Sequence, residues 1–374
     1  MAVTPSTPYS KPFKSVDEQL DLLASRGLTL GDRAEAREHL RRVGYYRLSG
    51  YWYPLRESIK KPGQPAVVTD QFVTGATLAN VIDIYQFDRK LRLLTLDAIE
   101  KIEVSIRFHV GHTLGRHGAF AHADPSVLDA EFAGGAVVPP PGVSNWLDSE
   151  HRKWLENRTR ETTRSKADFV THFKKKYGLP LPVWVITELL DFGGLSMLYG
   201  GMLQKDRDAI AAQLGLFDRA GVGNSGALKD WLKNLNYVRN VCAHHARFWN
   251  ANVTQQMSPR LLSSVPELAH ITAGRPLSRP YASLAVIAVL VRRINPNDDW
   301  PQRLRHLVLS ELPPGRRADE LGFPAHWDTE TIWSVPAQTG PAQTAVALLN
   351  RPGFAGGSFT WFQRLPGPGS HGSW

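Results

Sequence analysis

The sequence predicts a mainly α-helical protein: a helical bundle with additional N- and C-terminal helices and an irregular insertion. Three observations carry this. Apolar residues recur at steps of three and four from about Thr77 to Leu114, with Leu91, Leu94, Ala98, Ile102 and Ile106 on one stripe. Helix punctuation recurs along the chain, and no long series of alternating strand-like segments interrupts it.

The first element begins at Ser15, with Glu18 three positions on in capping-box spacing, and should run to about Arg26 before Gly27. A second helix is expected over Arg33 to Val43, ending at Gly44. Tyr45-Tyr46-Arg47-Leu48-Ser49-Gly50-Tyr51-Trp52-Tyr53 then packs five aromatics into nine residues. Such a run stacks on bases or, more commonly, forms an amphipathic wedge between helices with its hydroxyls hydrogen-bonded at the rim.

Residues 57–69 read as a polar connection before the long helix, in which Arg89, Arg92, Glu100, Glu103 and Arg107 fill the positions between the apolar ones. Glu103 and Arg107 have the spacing of a stabilising helix-face pair, with help in arranging a site as the alternative. Gly, Ala, Pro and His make the stretch near 115–148 an irregular insertion. Between Ser149 and Tyr177 the basic residues, including Lys174, Lys175 and Lys176, form either a track for an RNA backbone or a solvated helix surface.

Pro182 to Leu190 starts a buried helix, with Asp191-Phe192-Gly193-Gly194 expected to break it before Leu195 to Leu203. A short helix is expected around Asp206 to Leu214, a longer one over Ala227 to Asn250, and two more over Tyr281 to Ile294 and Trp300 to Leu309. Phe323, Trp327 and Trp333 read as packing anchors. The organisation expected is a flexible N-terminus (1–14), a helical domain (15–255), a C-terminal helical extension packed on it (256–335) and a Gly/Pro-rich tail (336–374).

Apolar residues make up 42% and charged residues 21% of the 374 residues, which argues against global disorder. The net charge of +9 favours polyanionic partners: RNA, DNA or an anionic membrane surface. Cys242 is the only cysteine, which excludes an intrachain disulfide and a multi-thiolate zinc site. The polar N-terminus lacks the apolar core of a signal peptide, and the apolar window Tyr281 to Val291 is too short to span a bilayer. A cytoplasmic location without membrane contact is the expectation.

Chemistry concentrates between Arg239 and Asn250. Leu235, Val238, Cys242, His245 and Trp249 would build one mostly apolar stripe of a helix, and Asn240, His244 and Arg247 another. His244 exchanges a proton near neutral pH, while Arg239 offers a permanent cationic fork to phosphate oxygens. RNA carries its own nucleophile, the 2'-hydroxyl, so this pair needs neither metal nor cofactor. His244 then serves as general base or acid, Arg239 stabilises the phosphorane charge, and Asn240 orients His244 or binds a phosphate oxygen. His245, Arg247 and Asn250 are supporting candidates, with Arg47, Arg89, Glu103, Arg107, Lys174, Lys175 and Lys176 elsewhere. The pair is five apart, about 140° around a helix, and one copy makes a sparse site, so a homodimer that brings two copies together is expected.

The motifs Gly44-Tyr45-Tyr46-Arg47-Leu48-Ser49-Gly50-Tyr51-Trp52, Tyr85-Gln86-Phe87-Asp88-Arg89-Lys90-Leu91-Arg92, Phe192-Gly193-Gly194-Leu195-Ser196 and Val238-Arg239-Asn240-Val241-Cys242-Ala243-His244-His245-Ala246-Arg247-Phe248-Trp249-Asn250 stand in this order. Together with Asn295 to Trp300 and Gly322-Phe323-Pro324, they make the chain resemble the Abi family of bacterial abortive-infection proteins, within the HEPN superfamily. The resemblance implies a HEPN-like helical bundle, metal-independent RNA cleavage and a role in phage defence or as a toxin. It places Arg239 and His244 at the two ends of the superfamily's Arg-x-x-x-x-His motif and Asn240 at its polar position. It also implies paired units, and for some members a structured noncoding RNA as partner. Two other readings stay open: a noncatalytic RNA-binding protein, and a protein-interaction component of a toxin and antitoxin pair. A metal-dependent nuclease and a DNA enzyme rank lower.

Overall fold

In the computed structural model, which describes residues 10–60, 63, 66–134, 149–272 and 277–334, side-chain caps fix where the first helices begin. Ser15 and Glu18 close a reciprocal capping box at the head of α1 (Val16–Ser25), each satisfying a backbone N–H that a helix end leaves unpaired. Asp32 accepts the Glu35 N–H at the head of α2 (Arg33–Val43), which spans the residues expected. Gly44, at φ 92°, turns the chain directly into α3 (Tyr45–Trp52). The aromatic run is therefore a helix, with Leu48, Tyr51 and Trp52 buried and Tyr46 exposed.

The expected polar connection holds an antiparallel pair, β1 (Arg56–Ile59) and β2 (Val67–Phe72). Most of its residues face solvent, so no apolar alternation marks it in the sequence. Arg26 and Arg56 both pair with Asp70, at 2.8 and 3.1 Å, and tie the hairpin to the end of α1.

Thr77 caps α4 (Leu78–Gly115), whose 38 residues make it about 57 Å long. It is the axis of the fold. The insertion after it is more ordered than expected: short 3-10 turns at Ala121–Ala123 and Pro125–Val127 precede α5 (Ala130–Ala133), and Ala121, His122 and Leu128 are buried. Residues 135–148 of the insertion lie outside the described residues, as do residues 1–9 and the tail from residue 335.

Next come α6 (Glu150–Arg164), α7 (Asp168–Tyr177), α8 (Val183–Leu189), α9 (Phe192–Gly200), α10 (Gln204–Gln213) and α11 (Ser225–Ala243). The break expected over Asp191 to Gly194 is confined to Leu190 and Asp191, and both glycines lie inside α9. Asp191 makes this so by accepting the Gly194 N–H at 2.7 Å as a helix cap. A second correction concerns α11, which ends at Ala243 and not near Asn250.

The C-terminal part contains α12 (Pro259–Leu262), α13 (Pro280–Ile294) and α14 (Trp300–Ser310). Every residue of α13 from Pro280 to Val291 is buried. The segment from Asp298 to Arg303 is clamped on α4. The Trp300 indole N–H donates to Leu94 O at 2.6 Å, Lys101 pairs with Asp298 at 2.8 Å, and Arg303 pairs with Asp97 at 2.5 Å. Phe323, Trp327 and Trp333 gather with Tyr281, the anchoring role expected of them. No described helix is long and apolar enough to cross a membrane. The described residues make one compact unit.

Candidate functional site

The chain leaves α11 through a Schellman-type turn. His245 N–H donates to Cys242 O at 3.1 Å and Ala246 N–H to Val241 O at 2.9 Å, which satisfies two of the helix's last carbonyls. His245 takes the left-handed position at φ 57°, where glycine is the usual occupant. Because the helix stops here, the stripe Asn240, His244, Arg247 is broken after its second member. His244 itself completes the last turn, its N–H reaching Asn240 O at 2.9 Å, so Asn240 and His244 stay one turn apart on the same side.

Asp88 explains why the chain turns at this point. Its fully buried carboxylate accepts the N–H of Phe248 at 3.2 Å and of Trp249 at 2.5 Å, the hydroxyl of Tyr51 at 2.6 Å, and the guanidinium of Arg92. One side chain of α4 thus binds α3 and the loop after α11. Burial pushes the Asp88 carboxyl upward, and Arg92, Tyr51 and the two amides pull it back down. Cys242 lies beside this cluster, buried, and its thiol is pushed up by desolvation, which leaves it inert as a nucleophile.

Three of the predicted contact residues are engaged in holding this loop. Arg47 donates to the His245 carbonyl, Arg247 donates to the Gly50 carbonyl, and Arg279 donates to Asn250 Oδ1 at 2.5 Å. Asn250 is also left-handed, at φ 51°. The loop is therefore pinned from α3, from α4 and from the start of α13.

Arg239 is half-buried, with Nη1 3.4 Å from Asn240 Oδ1. It lies within electrostatic reach of Glu103, whose carboxyl is pushed up by burial and held back by Arg107 and Arg239. Glu103 pairs with Arg107 at 2.5 Å, and Arg107 also donates to Leu190 O at 2.8 Å. Glu103 and Arg107 thus lie on the side of α4 that faces Arg239. His244 is exposed, and among the described residues its imidazole has no side-chain partner. Arg239, Asn240, Glu103 and Arg107 form one neighbourhood, and His244 lies one helical turn from Asn240.

Other candidates lie apart from it. Arg89 is exposed on α4. Lys174 reaches the carbonyls of Thr163 and Ser165 at 3.2 and 3.4 Å, closing the end of α6, while Lys176 sits 5.2 Å from the Tyr177 ring and Lys175 is exposed. Asp88 links the loop to Tyr51 and Arg92, and sequence reasoning gave Asp88 and Arg92 no such part and expected Tyr51 only as one tyrosine of an aromatic wedge. The signal was present: Asp88 falls between Ile84 and Leu91 on the buried stripe of α4, where a carboxylate requires partners. Among the described residues no three His, Cys, Asp or Glu side chains gather as a metal-binding group.

Fold and site together define a mainly helical protein with an Arg/His helix end held by a buried acid. The chain matches the model of the Abi-like protein family over residues 38–250, more than half its length, and belongs to that family. Membership suggests abortive-infection defence against phage. Comparison with curated proteins and with solved structures finds no match. The matched region contains α3, α4, α11 and the loop after α11, which together supply every residue of the Asp88 cluster and the Arg239–His244 turn.

Proposed function

We propose that the chain is a metal-independent endoribonuclease of the HEPN type that acts in the cytoplasm as a homodimer during abortive infection. The observation that carries this reading is the exposed imidazole of His244 on a turn clamped from three sides, one helical turn from Asn240, whose side chain contacts Arg239. A rigid turn is what positioning a general base demands, since small misplacements cost large factors in rate.

In the proposed reaction His244 takes the proton of the RNA 2'-hydroxyl, the 2'-oxygen forms a bond to the adjacent phosphorus, and the bond to the 5'-oxygen breaks. The leaving 5'-oxygen receives a proton, from the second copy's His244 or from water. The products are a 2',3'-cyclic phosphate and a 5'-hydroxyl. Arg239 stabilises the phosphorane charge, with the carboxylate of Glu103, itself paired with Arg107, in its field. Purified protein incubated with mixed RNAs in EDTA should yield fragments with these ends. Cleavage that persists in an Arg239→Ala, His244→Ala double variant would refute the assignment.

A further inference from the structure

Around Arg107 the exposed side of α4 keeps a regular pattern. Val104, Phe108, His112 and Arg116 follow one another at steps of four, and all four are exposed. Phe108 is 62% exposed and lies nearly parallel to the His112 ring, with centroids 5.4 Å apart and planes inclined by 15°. Beside them Gly111 and Gly115 leave room for α8 to approach. A Cβ on Gly115 would lie 3.4 Å from the Trp184 ring, and one on Gly111 would lie 3.0 Å from Thr187 Oγ1. Trp184 therefore lies low over α4, yet it keeps 52% of its surface exposed. The result is a groove of about 430 Å³ between Trp184 on one side and Phe108, His112 and Arg116 on the other, with Arg107 at its near end.

Trp184 and Phe108 thus leave aromatic surface in water in a groove that also presents Arg107 and Arg116. We infer that this groove binds single-stranded RNA, with bases stacked on Trp184 and on the Phe108–His112 pair and the backbone carried by Arg107 and Arg116. Stacking on exposed rings accepts any base, and it requires a strand whose bases are not already stacked in a duplex. The charges favour this occupant. Arg107 and Arg116 line the groove together with His112 and one carboxylate, Glu188, and Arg107 also pairs with Glu103. A second copy docked here about a two-fold axis would bring the same arginines and only one further carboxylate, Glu188, to the contact, whereas an RNA backbone brings an anion at every nucleotide.

The groove also leads to the candidate site. Arg107 and Arg116 are nine residues apart, about 14 Å along α4, and Arg107 pairs with Glu103, which lies in the field of Arg239. A strand seated in the groove is thus delivered toward Arg239 and His244. The inference rests on the RNA reading of that site, but it can fail or stand separately.

The test uses the full chain carrying His244→Ala, so that bound RNA is not cut, and a short fluorescein-labelled single-stranded RNA, alone or annealed to its complement. Fluorescence anisotropy should show Phe108→Ala and Trp184→Ala each weakening single-strand binding roughly five- to a hundredfold, with a much smaller effect on the duplex. Arg116→Glu should weaken both and flatten the salt dependence. Phe108 and Arg116 are exposed, so these two variants decide the matter if Trp184→Ala disturbs α8. Unchanged single-strand affinity in both, or an equal loss for the duplex in the aromatic variants, would overturn the groove. So would a fall in solution mass in these variants, which would make the face an interface between copies. If the native chain fails to cut RNA while the variants still lose affinity, the groove stands and the nuclease reading fails. His244-dependent cutting with groove variants of full affinity means the reverse.

Discussion

The carboxylate of Asp88 in α4 accepts the backbone N–H of Trp249 at 2.5 Å, across 161 positions of sequence. This bond and its companions from Phe248, Tyr51 and Arg92 fix the loop that follows His244. Asp88→Ala would leave Arg92 buried without its counter-ion and two amides without an acceptor, and should cost about 3–5 kcal/mol. Tyr51→Phe removes two hydrogen bonds, one to Asp88 and one from Arg92, but leaves the ion pair and both amide bonds, and should cost less, about 1.5–3 kcal/mol. Urea unfolding of the two variants provides the comparison. Equal losses would show that the carboxylate is not the hub of this cluster.

How far the sequence foretold this arrangement depends on where each contact's partners lie. Helices α2 and α4 were legible to within a residue or so because Asp32, Gly44 and Thr77 are local signals. The overrun of α11 has a local cause of the opposite kind: His245 and Trp249 continue the apolar period, and the stop is a left-handed histidine where glycine would have announced it. Asp88 and Arg92 have the spacing of a surface ion pair, and the amides that make the pair a buried hub come from the far end of the domain. Arg239 and His244 were legible as chemistry, while the supports that make their turn rigid were not. Arg47, Arg247 and Asn250 were found through their residue types, and only the fold shows them holding the loop.

The left-handed position of His245 predicts an unusual gain. A non-glycine residue there is strained, by about 1 kcal/mol or somewhat more, and glycine relieves it at some cost in unfolded-state entropy. His245→Gly should therefore stabilise the chain by roughly 0.5–1 kcal/mol, and His245→Val should destabilise it, since a β-branched residue tolerates this conformation least. Thermal melts would register the two shifts in opposite directions. A glycine variant that melts below the native chain would contradict the account of this turn.

The two glycines of α9 should respond unequally to alanine. A Cβ on Gly194 would lie 2.9 Å from Arg158 Nη1 and 3.0 Å from Asp191 Oδ1, while one on Gly193 would lie 3.4 Å from the Asn236 amide. Arg158 is itself buried and lies near the Trp154 ring, so it has little room to move. Gly194→Ala should cost about 1–3 kcal/mol, as overpacking does, and Gly193→Ala should cost less. Denaturation midpoints in this order are expected, and the reverse order would show that Arg158 yields readily.

Stability should also depend on pH through His122. Its ring is buried between α4 and α6, lies 6.2 Å from the Trp154 ring, and among the described residues finds no partner for Nδ1. Burial first, and the neighbouring His151 second, push its pKa from 6.5 down to about 4. As pH falls from about 6.5 to 4, the unfolded chain takes up a proton that the folded chain refuses. Stability is therefore fully present above the unfolded value and declines through that window, by up to about 3 kcal/mol for this one group. His122→Met keeps an apolar side chain of similar size against Trp154 and removes the titration. Its melting temperature should fall less steeply between pH 6.5 and 4 than that of the native chain, since carboxylates elsewhere contribute equally to both. Parallel pH profiles for the two proteins would mean that His122 is protonated in the folded state as easily as in the unfolded one, and that its burial carries no linkage.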